Sequence, residues 1–315
     1  MRGIAAMMVA YFHIFRGNPR YLPDSNVFVK LGAYGWAGVE MFFVISGFII
    51  TYAMFHGGYR LARAHRFVAK RFVRLEPPYI VSIVVVLVLM YVSTLSPHYR
   101  GAGLDIDWGN VLGHLGYVNA FTGEKWLQDV YWTLAVEFEF YLGLALIYPL
   151  LVHRKKWASW LAAAALLAMT FVPVPKEHVF QYLPFFVMGI SYSLLRCGVY
   201  SSVEFGFFFA VAVILGLYIH GPILVGLGLI TVAAIAFIHN VPRWLTWLGH
   251  ISYSLYLLHI PIGGRIVNIT EVLTKNVNLR LIVAFVALAV CIFCAYLFNR
   301  LVERPSQKLS KRISY

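Results

Sequence analysis

The sequence predicts an all-α, single-domain protein that crosses a membrane about ten times, as a polytopic integral membrane protein. Composition is the first reason, since hydrophobic residues make up 61% of the 315 residues and charged residues only 12%, with a mean hydropathy of +0.75. A water-soluble core of this length buries far less apolar surface. The second reason is that the apolar runs are long and uninterrupted, whereas a membrane barrel needs alternating strands of about ten residues.

Ten apolar runs follow one another along the chain, and each predicts one membrane-spanning helix. They cover residues 2–16, 35–55, 76–95, 131–151, 157–173, 180–195, 203–219, 222–239, 245–263 and 280–302. Proline and glycine separate several of them, for example at Gly221-Pro222 and Gly263-Gly264. Residues 1–315 form one predicted domain with no fused soluble domain. The first run begins at Met1 and is short for a span, so we expect a few more residues at the natural N-terminus.

Lysine and arginine determine the predicted orientation. With both termini in the cytoplasm, 17 of the 26 basic residues lie on the cytoplasmic side. They are Arg2, Arg60, Arg63, Arg66, Lys70, Arg71, Arg74, Arg154, Lys155, Lys156, Arg196, Arg243, Arg300, Arg304, Lys308, Lys311 and Arg312. The net charge of +13 is therefore a signal of membrane topology and of contact with membrane lipids, and no nucleic-acid partner is expected.

Two longer segments, 17–34 and 96–130, then lie outside the membrane on the far side. The second carries acidic and aromatic residues that could hold a polar ligand, or that could form an interfacial aromatic belt. They are Asp105, Asp107, Glu124, Asp129, Trp108, Tyr117, Trp126 and Tyr131. The three cysteines, by contrast, stand in apolar surroundings without histidine or acidic partners, so no metal site is predicted.

Arg2 and His13 form the most informative pair in the first run. Eleven residues in a helix amount to three turns plus about 20°, so the two side chains share one face and lie roughly 16.5 Å apart. That distance is about half the hydrocarbon thickness of a bilayer. Ionisable residues inside a span are costly, and two on one stripe indicate a function that connects the two membrane faces.

Three further ionisable residues fall at a depth similar to that of His13, in the outer half of their spans. They are Glu40, Glu137 and His259. Each alone could be a satisfied structural residue, but their shared depth favours a polar pocket that opens to the outer face. Glu139 lies 200° around the helix from Glu137, so only one of the two faces such a pocket, and we expect it to be Glu137.

Arg71 and Arg74 project from one side of a helix just before Glu76-Pro77-Pro78-Tyr79. Two guanidinium groups at this spacing suit a bidentate grip on phosphate. Arginines that flank a span also bind anionic lipid headgroups, and spacing alone favours that second interpretation.

Six segments together resemble the acyltransferase 3 family of integral membrane acyltransferases. They occur in the family's order and cover essentially the whole chain. They are Arg2-Gly3-Ile4-Ala5-Ala6 through His13, Gly38 to Phe48, Lys70 to Tyr79, Trp132 to Tyr141, Leu248 to His259, and Val302-Glu303-Arg304-Pro305. One segment alone would be weak evidence, but six in order are specific.

The resemblance implies a ten-helix membrane core that moves an acyl group, usually acetyl, from cytoplasmic acetyl-CoA or another acyl-CoA. The acceptor would be a hydroxyl of an extracytoplasmic glycan or lipid-linked saccharide. It also implies a place in the bacterial cytoplasmic membrane, beside polysaccharide-assembly machinery, in the stand-alone type associated with O-acetylation of exopolysaccharide or lipopolysaccharide.

Roles for the ionisable residues follow from that chemistry. We expect His13 to be the base for the acceptor hydroxyl, with a covalent acyl-histidine left open, and Glu137 to orient His13 or to stabilise the imidazolium formed during the reaction. Arg71 and Arg74 would bind the phosphates of CoA, and Arg2 would either assist them on phosphate or pair with a buried acid. The substrate pocket would include Glu40, Ser252, Tyr253 and His259.

Two other classes of function stay open at this point. A secondary transporter or flippase for a glycolipid or acyl donor also places histidine and glutamate inside a bundle. It fits less well, because the acids lie in the outer half and no inverted repeat of broken helices is visible. A scaffold for a polysaccharide-export complex would leave the polar stripe unexplained.

Overall fold

The computed structural model of the protein describes residues 1–97, 106–175 and 177–314. Regular structure in these ranges is helical throughout, which confirms the all-α prediction. In chain order the α-helices are α1 (Arg2–Arg16), α2 (Val27–Leu31), α3 (Gly38–His56), α4 (Ala64–Thr94), α5 (Trp108–Gly113), α6 (Asn119–Thr122), α7 (Trp132–Leu151), α8 (Lys156–Ala168), α9 (Val179–Arg196), α10 (Ser202–His220), α11 (Pro222–Phe237), α12 (Arg243–His250), α13 (Ser252–Leu258), α14 (Arg265–Leu273), α15 (Val277–Phe298) and α16 (Arg304–Lys311). Asp105, part of the candidate ligand segment, lies outside the described residues.

Five helical stretches are long and apolar enough to cross a membrane, judged by length and composition. They are Val27–His56, Leu61–Thr94, Trp132–Leu151, Ser202–His220 and Val277–Lys311. The other predicted spans are also helical, but several are short or interrupted, such as α1 with 15 residues and α8 with 13. Candidate spanning helices thus lie at five of the predicted positions, while the total of ten and the cytoplasmic termini stay predictions.

Helices α3 and α9 pack closely because each places a glycine where they cross. A Cβ atom added to Gly47 would collide with the backbone carbonyl of Phe186, and one added to Gly189 would collide with that of Val44. In a membrane, helices associate through close packing, since lipid tails are as apolar as the helix surfaces. This crossing therefore fixes α3, and with it the residues that α3 contributes to the site.

The predicted outer segment 96–130 packs against the bundle wherever it is described. The ring of Tyr117 stacks on that of Tyr79 in α4 with centroids 5.2 Å apart, and the Gly116 N–H donates to Glu76 Oε1 at 3.3 Å. His114 accepts a hydrogen bond from the Leu127 N–H at 3.0 Å, and burial lowers the pKa of His114. This hydrogen bond ties two parts of the segment, at residues 114 and 127, to each other.

The prediction of one continuous helix over 245–263 is wrong. The helix breaks at Ile251, between α12 and α13, and a π-helical turn follows over His259–Gly264. Pro261 lies inside this turn and has no N–H to donate, and a wider turn accommodates the missing hydrogen bond. The turn places His259 at the point where the regular helix ends.

Filling the crossing of α3 and α9 should unfold the bundle. We expect Gly189→Leu to lower the stability of the detergent-solubilised protein by about 1–3 kcal/mol or more, the usual cost of overpacking. Thermal unfolding followed by size-exclusion chromatography measures this. Gly206→Leu is the matched control, because a Cβ on Gly206 of α10 meets no atom within 4 Å. Equal melting temperatures of the two variants would contradict the close packing of α3 against α9 at Gly189.

Candidate active site

His13 and His259 meet in the interior of the protein, although 246 positions separate them in the sequence. His259 Nε2 lies 3.2 Å from His13 Nδ1, and the ring centroids are 5.0 Å apart. Helix α1 supplies His13 and the π-helical turn supplies His259, which is fully buried. The structure thus brings together two residues that the sequence placed at a common depth.

Hydrogen bonds to the backbone assign the protons of this pair. His259 Nδ1 lies 2.8 Å from the Tyr256 carbonyl oxygen, and His13 Nδ1 lies 2.9 Å from that of Val9. A carbonyl oxygen can only accept, so both Nδ1 atoms carry hydrogen, and in neutral His259 the Nε2 atom is an acceptor for His13. In neutral His13 the Nε2 atom then has a free lone pair, since it makes no hydrogen bond within the described residues, and this is the arrangement that a general base needs.

Glu137 lies elsewhere than the sequence led us to expect. Its Oε1 accepts hydrogen bonds from the hydroxyls of Ser46 at 2.7 Å and Tyr141 at 2.5 Å, and within the described residues it makes none to His13. The expected pairing of Glu137 with His13 is thus wrong as a contact. The sequence predicted how deep Glu137 lies within its span. The direction of its side chain, however, is set by hydroxyl groups on α3 and α7.

Three arginines surround the cavity that Glu137 lines. This arginine cavity, of about 150 Å³, is lined by Arg2, Arg71, Arg74, Glu137, Ser46, Tyr141 and four apolar side chains. Arg71 is buried, with its guanidinium carbon 5.3 Å from the ring centre of Phe67. The Nε atoms of Arg2 and Arg71 are buried and have no hydrogen-bond partner in the part of the chain that the structure describes. Arg71 and Arg74 thus line one cavity together with Arg2, and their binding of CoA phosphates, like the alternative binding of lipid headgroups, stays a prediction.

A narrow passage leads from the arginine cavity toward the histidines. This aromatic slot has a volume of about 30 Å³, roughly one water molecule, and Arg2 and Glu137 line both spaces. Phe42, Tyr253 and Tyr256 form its walls. Neither histidine is among its lining residues, but the ring of Tyr256 lies 5.8 Å from that of His259, so Tyr256 stands between the slot and the histidine pair.

The remaining predicted pocket residues have distinct environments. Glu40 is buried in the first turn of α3, and its Oε2 has no hydrogen-bond partner among the described residues. Tyr253 lines the slot and donates to the Leu75 carbonyl at 2.9 Å. Ser252 donates to the Gly249 carbonyl at 2.9 Å, which ties α13 to α12.

Several residues of the site escaped the sequence reasoning. Tyr141 stands one helical turn after Glu137, so an i, i+4 pairing of a phenol with a carboxylate could have revealed it. Ser46 and Tyr256 come from other helices, and Tyr256 shares a hydrogen bond of 2.6 Å with Thr133. Nothing in the local sequence indicates those long-range contacts.

A larger cavity lies at the first turn of α7, where Trp132 faces it and the next residue, Thr133, faces the slot. This vestibule has a volume of about 830 Å³. Its polar and aromatic lining includes Glu124, Lys125, Asp129, Glu177, Trp126 and Trp132. Asp129 lies within electrostatic range of His13. Aromatic faces beside carboxylates are suited to sugar rings and their hydroxyl groups.

Fold and site together define an integral membrane protein with a polar, histidine-containing site in the interior of its helical bundle. The family model described as an acyltransferase domain matches residues 1–300. The chain therefore belongs to the acyltransferase 3 family, which confirms the resemblance seen in the six sequence segments.

The curated relatives include the O-acetyltransferase OatA of Staphylococcus aureus strain NCTC 8325 / PS 47. It is 28% identical over 162 residues, which cover 44% of this chain and 26% of the relative. OatA of strains COL and MRSA252 gives the same values. The match thus spans about a quarter of the length of these relatives. No solved structure matches the chain.

Proposed function

We propose that the protein is a membrane O-acyltransferase that moves an acyl group, most simply acetyl, from cytoplasmic acyl-CoA to a hydroxyl of an extracytoplasmic glycan or lipid-linked saccharide. One observation carries the proposal. In a chain of the acyltransferase 3 family, an arginine cavity and a smaller aromatic slot share Arg2 and Glu137 in their linings, and Tyr256 of the slot lies 5.8 Å from His259 of a histidine pair. Acetyl is the first group to test because the relative is named an O-acetyltransferase.

The arginine cavity is the proposed site for the phosphates of CoA. Arg71 and Arg74 would grip them, and Arg2 would add a third cation from the first turn of α1. Guanidinium groups bind phosphate in a bidentate manner, and the buried unpartnered Nε atoms of Arg2 and Arg71 are donors that such an anion would satisfy. Glu137 then belongs to the donor side of the site, between the arginines and the slot.

The aromatic slot would admit the pantetheine arm and its thioester. At about 30 Å³ it is too narrow for that arm, so binding must turn the side chains of Phe42 and Tyr256 aside. The same narrowness keeps water away from the thioester until the donor is bound, which suppresses hydrolysis.

The transfer itself requires one proton carrier at the end of the slot. His13 Nε2 takes the proton of the acceptor hydroxyl while that oxygen bonds to the thioester carbonyl carbon. The C–S bond then breaks, and His13 passes the proton that it took from the hydroxyl to the CoA sulfur. His259 acts as a positioning residue, since it accepts from His13 Nδ1 and so keeps Nε2 free. In the covalent variant, His13 Nε2 itself carries the acyl group between two such steps.

A glycolipid flippase is the second candidate, because ionisable residues inside the bundle, at the arginine cavity and at the histidine pair, are also typical of transporters. Purified protein in lipid vesicles separates the two. An acyltransferase consumes acetyl-CoA and releases CoA when acceptor is present, whereas a flippase moves its lipid with acetyl-CoA intact.

Removal of the His13 imidazole should abolish transfer without unfolding the protein. We expect His13→Ala to lower kcat by at least about 10²-fold, since a positioned general base contributes about 10²–10⁴-fold. His259→Ala should lower kcat by less and leave the KM for acetyl-CoA unchanged, because it removes only the partner that fixes His13. Vesicle assays of CoA release measure both.

His56→Ala is the matched control, since His56 is an exposed histidine at the end of α3. It should retain wild-type kcat. Wild-type kcat in well-folded His13→Ala protein would contradict a catalytic role for His13.

The arginines should act on donor affinity. We expect Arg71→Ala and Arg74→Ala to raise the KM for acetyl-CoA about tenfold or more, because hydrogen bonds to charged groups are worth about 1.5–3 kcal/mol. Arg66→Ala is the control, on the same helix but exposed. If all three variants behaved alike, or if the arginine variants only inverted membrane topology, the arginines would be topological signals and not a CoA site.

A further inference from the structure

The vestibule borders on a second cavity of opposite character. This groove is an apolar cleft of about 430 Å³ between α7, α8 and α9. Its walls include Leu142, Gly143 and Ile147 of α7, Leu166 of α8 and Leu183 of α9. The vestibule offers carboxylates and indole rings, whereas the groove offers almost nothing but hydrocarbon.

Two side chains, Phe121 and His178, line both the vestibule and the groove. Their rings lie 5.3 Å apart, and His178 Nδ1 donates to Glu139 Oε1 at 2.8 Å. Glu139 also accepts the Val179 N–H at 2.8 Å, which holds the start of α9 in place. The junction of the two cavities is therefore a fixed part of the structure, and His178 Nε2 is left for a ligand there.

The groove extends along α7 from the level of Glu139 to that of Ile147, about 12 Å at the rise of an α-helix. Helix α7 is one of the membrane-spanning candidates. Leu146 is 68% exposed on the same side, so the groove opens toward the surrounding membrane. A molecule that enters it from the vestibule would thus have its polar end at the first turn of α7 and its apolar end in the bilayer.

We propose that the acceptor is a membrane-anchored saccharide, with its sugar in the vestibule and its hydrocarbon chain in the groove. The proposal rests on the acyltransferase function above and decides between a lipid-linked saccharide and a finished, lipid-free polysaccharide as the acceptor. A sugar is excluded from the groove because its hydroxyls would have no partners there, and a hydrocarbon chain is excluded from the vestibule by the charged side chains.

The sugar determines which lipid binds, and the groove determines where its hydrocarbon chain lies. A chain that moves from lipid into the groove gains little, because both surroundings are equally apolar. A sugar attached to a chain held in the groove, however, can move only a short way from the vestibule, which keeps its hydroxyl near the end of the slot. Such positioning is a large part of catalysis between two bound reactants.

A pair of photoreactive lipids tests this placement. The first is glucosyl diacylglycerol with a diazirine in one acyl chain, and the second is the same diacylglycerol without the sugar. Each is added to the full-length protein in phosphatidylglycerol vesicles and irradiated, and labelled peptides are mapped by mass spectrometry. We expect the sugar-bearing lipid to label the groove residues of α7 and α9 more strongly than the sugar-free lipid does.

Gly143→Phe blocks the groove without disturbing the protein, because a Cβ on Gly143 meets no atom within 4 Å. Labelling of the groove by the sugar-bearing lipid should fall about tenfold, which corresponds to ~1.4 kcal/mol of lost binding. Gly206→Phe places the same ring on open, exposed surface of α10 and should leave labelling unchanged.

Equal labelling by both lipids, or undiminished labelling in Gly143→Phe, would overturn the proposal and mean that the groove holds bulk lipid only. The acyltransferase function fails separately, through the absence of CoA release by wild-type protein whose groove is labelled as expected.

Discussion

The carboxylate of Glu137 is the group around which the interior of this bundle is arranged. A carboxylate inside a span is expensive unless it is hydrogen-bonded, and here Ser46 and Tyr141 supply the two donors. Those donors belong to α3 and α7, so the requirement to satisfy one half-buried acid holds two helices in register. The close crossing of α3 and α9 at Gly47 and Gly189 then transmits that position to the rest of the bundle.

Glu137 and Arg2 also separate two functions, because they line both the arginine cavity and the aromatic slot. The cavity has the cations that an anionic donor needs, whereas the slot is narrow and mostly aromatic. An acyl donor that bridges the two would keep its charges at the arginines and expose only its thioester to the histidines. Under the proposed function, this division would let a membrane-embedded site accept a highly charged donor without burying the charge beside the reaction.

Much of the fold could be predicted from the sequence, since long apolar runs specify helices whatever their partners. The shared face of Arg2 and His13 followed from helical periodicity alone, and Arg2 indeed lines the slot that ends near the histidines. The break at Ile251 and the π-helical turn after it could not be foreseen, because a continuous apolar pattern gives no sign of a local change in helix type. The same holds for the crossing glycines, whose importance depends on the backbone of another helix.

The site was predictable in its residues but not in its pairings. Depth along each span placed His13 and His259 at one level, and the structure has their rings 5.0 Å apart, yet the same reasoning placed Glu137 with them. Side-chain direction depends on which distant hydroxyl groups are available, and Ser46 lies 91 positions from Glu137. Arg71 and Arg74 show the same limit of prediction from sequence. Their spacing favoured binding to lipid headgroups, whereas their position on α4 directs them into a cavity.

The central claim is that acyl groups pass from the arginine cavity to an acceptor at the histidines through the interior of the protein. Membrane vesicles of known orientation test it most directly, with ¹³C-labelled acetyl-CoA supplied only on the cytoplasmic side and the acceptor glycolipid confined to the opposite leaflet. The account predicts that mass spectrometry will find labelled acetyl esters on the acceptor, with CoA released on the cytoplasmic side. Label that reaches the acceptor only when acetyl-CoA is supplied on the acceptor's own side would contradict it.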